Sequence, residues 1–306
     1  MLVPQVTGNN VQALAVTHRL IKKIKDERFD EEALHEYQLF LHIGVRDFQV
    51  LIVDEKNKVL LLEDYVLPDV SSQDSLNKTL IDLFDSHAVL KAGFWKAVKI
   101  SLKTVKFVQV PLALFSQESM NEYLLFNAQI DEKKETILKT EHPHYEAVTV
   151  FAVNTYLHDW LLKVYRSTTV TVMHQAAALI EGVLAVSGKS TGPSPLYIYV
   201  DRFKLHIIAC QAGKLLYYNQ FSIKHFQDYV RYIMMVMKSL NMNQQSSKVV
   251  LWGYIGKNSP HYHEFYKYIN NVSFGGKPES LRFSYLFDEV PEHSFFDLYS
   301  MQLVGA

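Results

Sequence analysis

Short apolar runs separated by polar turns make up most of the chain, and one order of runs occurs twice. Phe48-Gln-Val-Leu-Ile-Val-Asp54 turns through Glu55-Lys56-Asn57 into Lys58-Val-Leu-Leu-Leu62. Much later, Leu205-His-Ile-Ile-Ala-Cys210 turns through Ala212-Gly213 into Lys214-Leu-Leu-Tyr-Tyr218. Runs rich in β-branched and aromatic residues, joined by short polar turns, predict hairpins. A further apolar run precedes each hairpin, Tyr37 to Ile43 and Leu196 to Val200, and a helical pattern follows each. The first helix carries Leu76, Leu80, Leu83 and Phe84 on one face, with Asp74 as its cap. The second spans His225 to Leu240, with Phe226, Tyr229, Val230, Ile233, Met237 and Leu240 on one side. The pattern is therefore β-β-β-α, twice.

The remaining segments extend each unit. Lys99 to Val110 reads as one strand ended by Pro111, Gln117 to Phe126 as a short helix, and Asp131 to Glu135 as a surface loop or helix end. Ala147 to Val153 and Thr168 to Met173 read as strands. Between them Asn154 caps a helix bearing Leu157, Trp160, Leu161 and Val164. Gln175 to Val186 is a strongly apolar helix interrupted by Glu181. In the second unit Lys248 to Trp252 and Arg282 to Leu286 read as strands, and Pro260 opens a helix through Tyr268. Leu14, Leu20, Ile21 and Ile24 form a stripe that predicts a helical N-terminal segment. Ser187 to Pro195 has linker composition. The expected organisation is a helical extension over 1–36, a first lobe over 37–187 and a second over 188–306. Each lobe is α/β, with helices packed on a mixed sheet.

Composition narrows the function classes. In 306 residues, 48% are apolar, enough for two ordinary cores, and the net charge of −1 supplies no field for nucleic acid or anionic lipid. The one cysteine, Cys210, lies in an apolar strand and leaves no intrachain disulfide. The start Met-Leu-Val-Pro-Gln-Val-Thr-Gly is unlike a signal peptide, and no window has the ~20 apolar residues of a membrane span, so a cytoplasmic protein is expected. The 18 Tyr and 18 Phe serve strand packing or, in the aromatic-rich second half, a partner surface.

Several motifs fall short of a chemistry. Gly188-Lys189-Ser190 lacks the strand and glycine spacing of a P-loop and reads as linker. His142-Pro143-His144 and His261-Tyr262-His263-Glu264 offer paired ligands without an evident third, so surface histidines are the simpler reading. No Gly-x-Ser-x-Gly elbow is present, and Cys210 has no positioned base. Asp54, Glu63, Asp64 and Asp201 could be matched to a two-metal nuclease, but His42 stands where such a site usually starts.

The duplicated pattern resembles the ribonuclease H-like, actin-like superfamily of sugar kinases, heat-shock ATPases and bacterial cytoskeletal proteins. Within it the chain looks most like a Bacteroidota family of unknown function, nearest in look to pilus-assembly and division proteins. The resembling stretches are Phe40-Leu-His-Ile-Gly44, Phe107-Val-Gln-Val-Pro-Leu-Ala-Leu-Phe115 and the run Leu196 to Trp252. The resemblance implies a nucleotide cleft between the lobes, with two Asp-x-Gly hairpins gripping the phosphates. Here the first hairpin reads His42-Ile43-Gly44-Val45-Arg46, keeping the glycine but not the aspartate. The second reads Val200-Asp201-Arg202-Phe203, keeping the aspartate but placing phenylalanine at the glycine. The adenosine-side glycine pair is reduced to Gly253 in Leu251-Trp252-Gly253-Tyr254-Ile255-Gly256. The candidate cleft residues are therefore Gly44, Arg46, Asp201, Arg202 and Gly253. Arg46 and Arg202 could hold an anion there, or simply cap turns and pair with acids. The expectation is a non-catalytic scaffold, a pseudo-ATPase with no cofactor, that binds a protein partner. The alternative is an ATP- and magnesium-dependent ATPase or phosphotransferase with unusual phosphate ligands.

Overall fold

A computed structural model describes residues 18–305 apart from 189–192, 203 and 226. The expected N-terminal helix as far as residue 17, linker residues 189–192, Phe203, Phe226 and the side chain of His261 lie outside what is described.

The first lobe is built on β1 (Arg19–Lys25), β2 (Gln38–Ile43), β3 (Asp47–Val53), β4 (Val59–Val66), α1 (Gln73–Ser86) and β5 (Ala97–Leu102). An insertion follows, made of β6 (Phe107–Pro111), α2 (Met120–Leu125), β7 (Glu135–His142) and β8 (Ala147–Asn154). The lobe ends with α3 (Thr155–Val164), β9 (Val170–His174) and α4 (Gln175–Ser187). The second lobe contains β10 (Leu196–Val200), β11 (Lys204–Gln211), β12 (Lys214–Ser222), α5 (Gln227–Ser239), β13 (Val249–Gly253), α6 (Pro260–Tyr268), β14 (Val272–Phe274) and α7 (Phe296–Ser300).

Among the described residues, the first sheet has the order β1-β4-β3-β2-β5-β9 and the second the order β12-β11-β10-β13-β14. In both, the first three strands of the β-β-β-α unit are antiparallel and the later strands add in parallel. Omitting β1, the two orders are the same. The insertion forms its own antiparallel sheet, β6-β8-β7.

Strand periodicity explains the packing. Side chains alternate between faces, so Phe48, Val50 and Ile52 join the core under α1 and α3, whereas Leu51 and Val53 join the core under α4 and the C-terminal segment. Helix α4 is apolar on nearly every side, Glu181 excepted, because it is packed on both sides. Its Ala177 and Ala178 meet the first lobe, while Ala176, Leu179, Ile180 and Val183 meet Tyr197, Tyr199 and Trp252 of the second. A side chain at Gly182 would collide with Ser300 and Phe296, so this glycine lets α7 approach α4 closely. The chain then returns to the first lobe: Leu281, Phe287, Val290 and Leu298 pack with Phe40, Leu51 and Leu62.

Four expectations need correction. Residues 19–25 form strand β1, not a helix; Ile24 is buried and β4 supplies its hydrogen-bond partners. Lys99 to Val110 is two strands in different sheets, broken at residues 103–106. Helix α1 is capped by Ser72 in a capping box with Ser75, and Asp74 lies in the first turn. Arg282 to Leu286 makes one bridge to Lys58 and then a 3-10 turn, not a strand.

Candidate functional site

The sheet faces that look toward α4 are apolar along most of their length and polar at one end. On the first sheet the same face that carries Phe40, Leu51 and Leu62 continues into His42, Gln49 and Asp64. On the second, the face with Tyr197, Tyr199 and Ile208 continues into Asp201 and His206. These polar ends meet between the lobes. A cavity of about 340 Å³ opens there, lined by Gly44, Arg46, Asp47, Lys103, Asp201, Arg202, Lys204 and neighbours. A larger hollow of about 870 Å³, between α1 and α3, holds none of these residues.

Lys103 is the centre of the arrangement. It follows β5 at the break that the sequence pattern concealed. Its Nζ lies 2.6 Å from Asp47 Oδ2 and 3.2 Å from Asp201 Oδ1, bridging the lobes. Burial alone would lower its affinity for a proton. The carboxylates of Asp201, Asp47 and Asp297 outweigh that and hold the ammonium well above the ordinary lysine range. Burial likewise favours the neutral form of Asp201, but Lys103 reverses this and keeps it a carboxylate.

Arg202 crosses in the opposite direction. Its Nη2 donates to Asp64 Oδ2 at 2.6 Å, Nη1 lies 3.5 Å from Asp47, and the guanidinium sits 4.4 Å from the centre of the Tyr254 ring. Burial outweighs Arg202 and pushes the Asp64 carboxyl up. A guanidinium that is always charged at this distance still keeps the two as an ion pair at neutral pH. Gln49 donates to Asp64 at 3.2 Å and contacts the Tyr254 hydroxyl. Behind them, Gln175 at the start of α4 donates to Asp201 at 3.1 Å and to Asp297 at 2.8 Å. Asp297 also accepts from the Tyr199 hydroxyl at 2.5 Å and lies 2.9 Å from His42 Nε2. Lys204 Nζ donates to the Lys103 carbonyl at 2.9 Å, and burial lowers its proton affinity to about 8.

The two hairpins are closed on themselves. The Gly44 N–H donates to the Asp47 carbonyl at 2.8 Å, and the Asp47 carboxylate lies where a side chain at Gly44 would go. The Arg202 N–H donates to Asp201 Oδ1 at 2.8 Å, and the Asp201 N–H to the Lys204 carbonyl at 2.9 Å.

The cavity lining thus collects Gly44, Arg46, Asp201 and Arg202. Arg46 is exposed at the rim, and Arg202 is engaged with acids. Gly253 is not part of the lining. It ends β13 with φ +94°, where a side chain would collide with the Val200 carbonyl, so its requirement is conformational. The residues missed from sequence are Asp47, Lys103, Gln175, Tyr199, Lys204 and Asp297. No local motif marks them, and only the break after β5 would have drawn attention to Lys103.

Of the described histidines in the two pairs, His144 and His263 are exposed as expected and His142 is not. His142 is buried, with Nε2 2.8 Å from Thr149 Oγ1 and Nδ1 3.3 Å from Glu181, while His144 is exposed. Glu264 pairs with Lys267 at 2.8 Å. Among the described residues, no group of three or more His, Cys, Asp or Glu side chains converges as a metal site. Cys210 is buried, which pushes its thiol up to about 12. No helix among the described residues is long and apolar enough to cross a membrane.

A family model, Protein of unknown function (DUF3822), matches residues 26–272. The chain belongs to this family. Among solved structures, the DUF3822 chain is similar to a Bacteroides thetaiotaomicron protein with an actin-like ATPase fold and unknown function. The TM-score is 0.75 at 20% identity, covering 91% of this chain and 99% of that one. It is also similar to the PilM-PilN type IV pilus biogenesis complex, with TM-score 0.56 at 12% identity, covering 88% of this chain and 99% of that one. These likenesses establish the actin-like fold, in agreement with the two sheet orders. A search of curated proteins gave no match.

Proposed function

We propose that this protein is a non-catalytic actin-like scaffold, a pseudo-ATPase that binds a protein partner. The observation that carries this reading is the position of Lys103. Its ammonium sits between Asp47 and Asp201, where a nucleotide cleft of this fold needs acids free to orient a hydrated divalent cation. A magnesium triphosphate does not fit these residues as they are arranged. Asp201 faces cations supplied by the chain itself, and the Gly44 and Arg202 N–H groups already have acceptors. The bridges instead hold the lobes together without a ligand. The partner half of the reading draws on the PilM likeness, since that protein is in a complex with PilN. It draws also on exposed aromatic side chains of the second half such as Tyr266 and Tyr268.

Thermal unfolding with and without ATP and magnesium tests the proposal. A ligand at a hundredfold excess over its dissociation constant stabilises the native state by about 2.7 kcal/mol, which would raise the melting temperature by several degrees. The expected result is no shift at millimolar ATP and magnesium, together with a protein recovered on the immobilised chain. A clear upward shift would favour the ATPase or phosphotransferase reading.

A further inference from the structure

We infer that β12 is a self-association edge, pairing antiparallel with β12 of a second copy. The first lobe supplies the precedent. In its sheet the position equivalent to β12 is held by β4, and β4 is covered by the antiparallel strand β1. In the second lobe, β12 pairs with β11 on one side, and the described residues provide no strand for the other. The geometry that closes this edge in one lobe is therefore left open in its counterpart.

The sequence of the edge separates it from every other edge among the described residues. The outer strand β1 reads Arg-Leu-Ile-Lys-Lys-Ile-Lys, a run of cations that repels an added strand. Strand β7 carries two glutamates and a lysine, β6 ends in Pro111, and β9 and β14 are short. Strand β12 is nine residues long and has no charge after Lys214. A bulge opposite Ala209 and Cys210 leaves Leu216 57% exposed, and pairing is regular from Tyr217 to Ser222.

That regular stretch is compatible with itself. A twofold axis at Asn219 sets Tyr217 opposite Phe221 of the second copy, and Tyr218 opposite its Gln220. Tyr217 and Phe221 lie on one face, so each copy contributes half of two aromatic cross-strand pairs. No like charges meet. Both sheets continue into one across the axis, an isologous contact that closes as a dimer.

Sedimentation velocity at about 100 µM, a concentration at which even a micromolar association is largely formed, tests the inference. The wild-type chain is expected to sediment as a dimer. Asn219 is exposed, so Asn219→Lys and Asn219→Glu leave the protomer folded, which circular dichroism checks. Each variant alone places like charges opposite one another at the axis and is expected to sediment as a monomer. An equimolar mixture is expected to regain the dimer as Lys faces Glu. A monomeric wild type overturns the inference, as does dimer persisting in both single variants or failing to return in the mixture. A strand from a different protein on this edge would leave the wild type monomeric and so counts against it.

Discussion

Lys103 bridges two buried carboxylates, Asp47 and Asp201, and of the two Asp47 also has the Arg202 guanidinium at 3.5 Å. A buried pair contributes little by existing, because desolvation offsets its attraction, but breaking it by removing one partner typically costs 3–5 kcal/mol, as a rough range. Lys103→Ala should therefore lower the urea unfolding midpoint by an amount equivalent to about 3–5 kcal/mol, a large share of the roughly 5–15 kcal/mol that stabilises a domain. Adding Asp201→Asn removes one stranded charge and should recover part of the loss. If Lys103→Ala unfolds at the wild-type midpoint, the bridge has no structural role. Arg202 pairs with acids, one of the two roles its sequence allowed, its fork turned onto Asp64 and Asp47. Gly44 makes room for the Asp47 carboxylate.

Strand β1 shows how far local pattern can carry an element. Arg19–Lys25 has apolar residues at spacings that suit a helix stripe as well as a strand, and its charge is compatible with either. What decides is β4, whose open edge accepts it over Arg19 to Lys25. Ile24 is buried against Phe40, Leu51 and Leu62, and Lys23 reaches Glu63 at 2.8 Å. Truncating Ile24 to alanine should cost about 2–5 kcal/mol, the usual range for a buried isoleucine, read as a lower denaturation midpoint. An exposed helix would lose well under 1 kcal/mol, since surface changes stay within about 0.5. A negligible change would therefore count against the strand. Elements bounded by their own caps were legible. Asn154 accepts the Leu157 N–H and opens α3 as expected, and Pro260 begins α6.

Taken as a whole, the molecule is a two-lobed body whose lobes share α4 and a polar seam. That seam makes acid sensitivity a property of the assembly. Burial holds His174 and His206 down to about 3, against an ordinary 6.5. Unfolded imidazoles take up protons below 6.5 while the folded ones do not until about 3, so the unfolded state binds more protons in that window. Stability therefore falls as pH drops from 6.5 toward 3, by up to about 1.4 kcal/mol per pH unit for each histidine. Asp297 is held below the ordinary 3.8, its burial outweighed by His42, and Asp201 likewise by Lys103. Their stabilisation is present above 3.8 and is lost below it. The urea midpoint should decline between about pH 7 and about pH 5, above the range in which Asp201 and Asp297 take up protons. His206→Gln should make the decline shallower. A flat profile over that interval would contradict the buried neutral histidines.

The repeated β-β-β-α pattern and the order of most strands and helices could be read directly from the chain, because each depends on period and turn chemistry over a few neighbours. The seam between the lobes could not. Lys103, Asp47, Gln175 and Asp297 lie far apart in sequence and come together only when two sheets and a shared helix are stacked. Their pairing depends on burial and on distances of a few ångströms, which no local pattern encodes. The break after β5 followed the same rule: its residues look like one continuous strand, and competition between two sheets for the halves splits it.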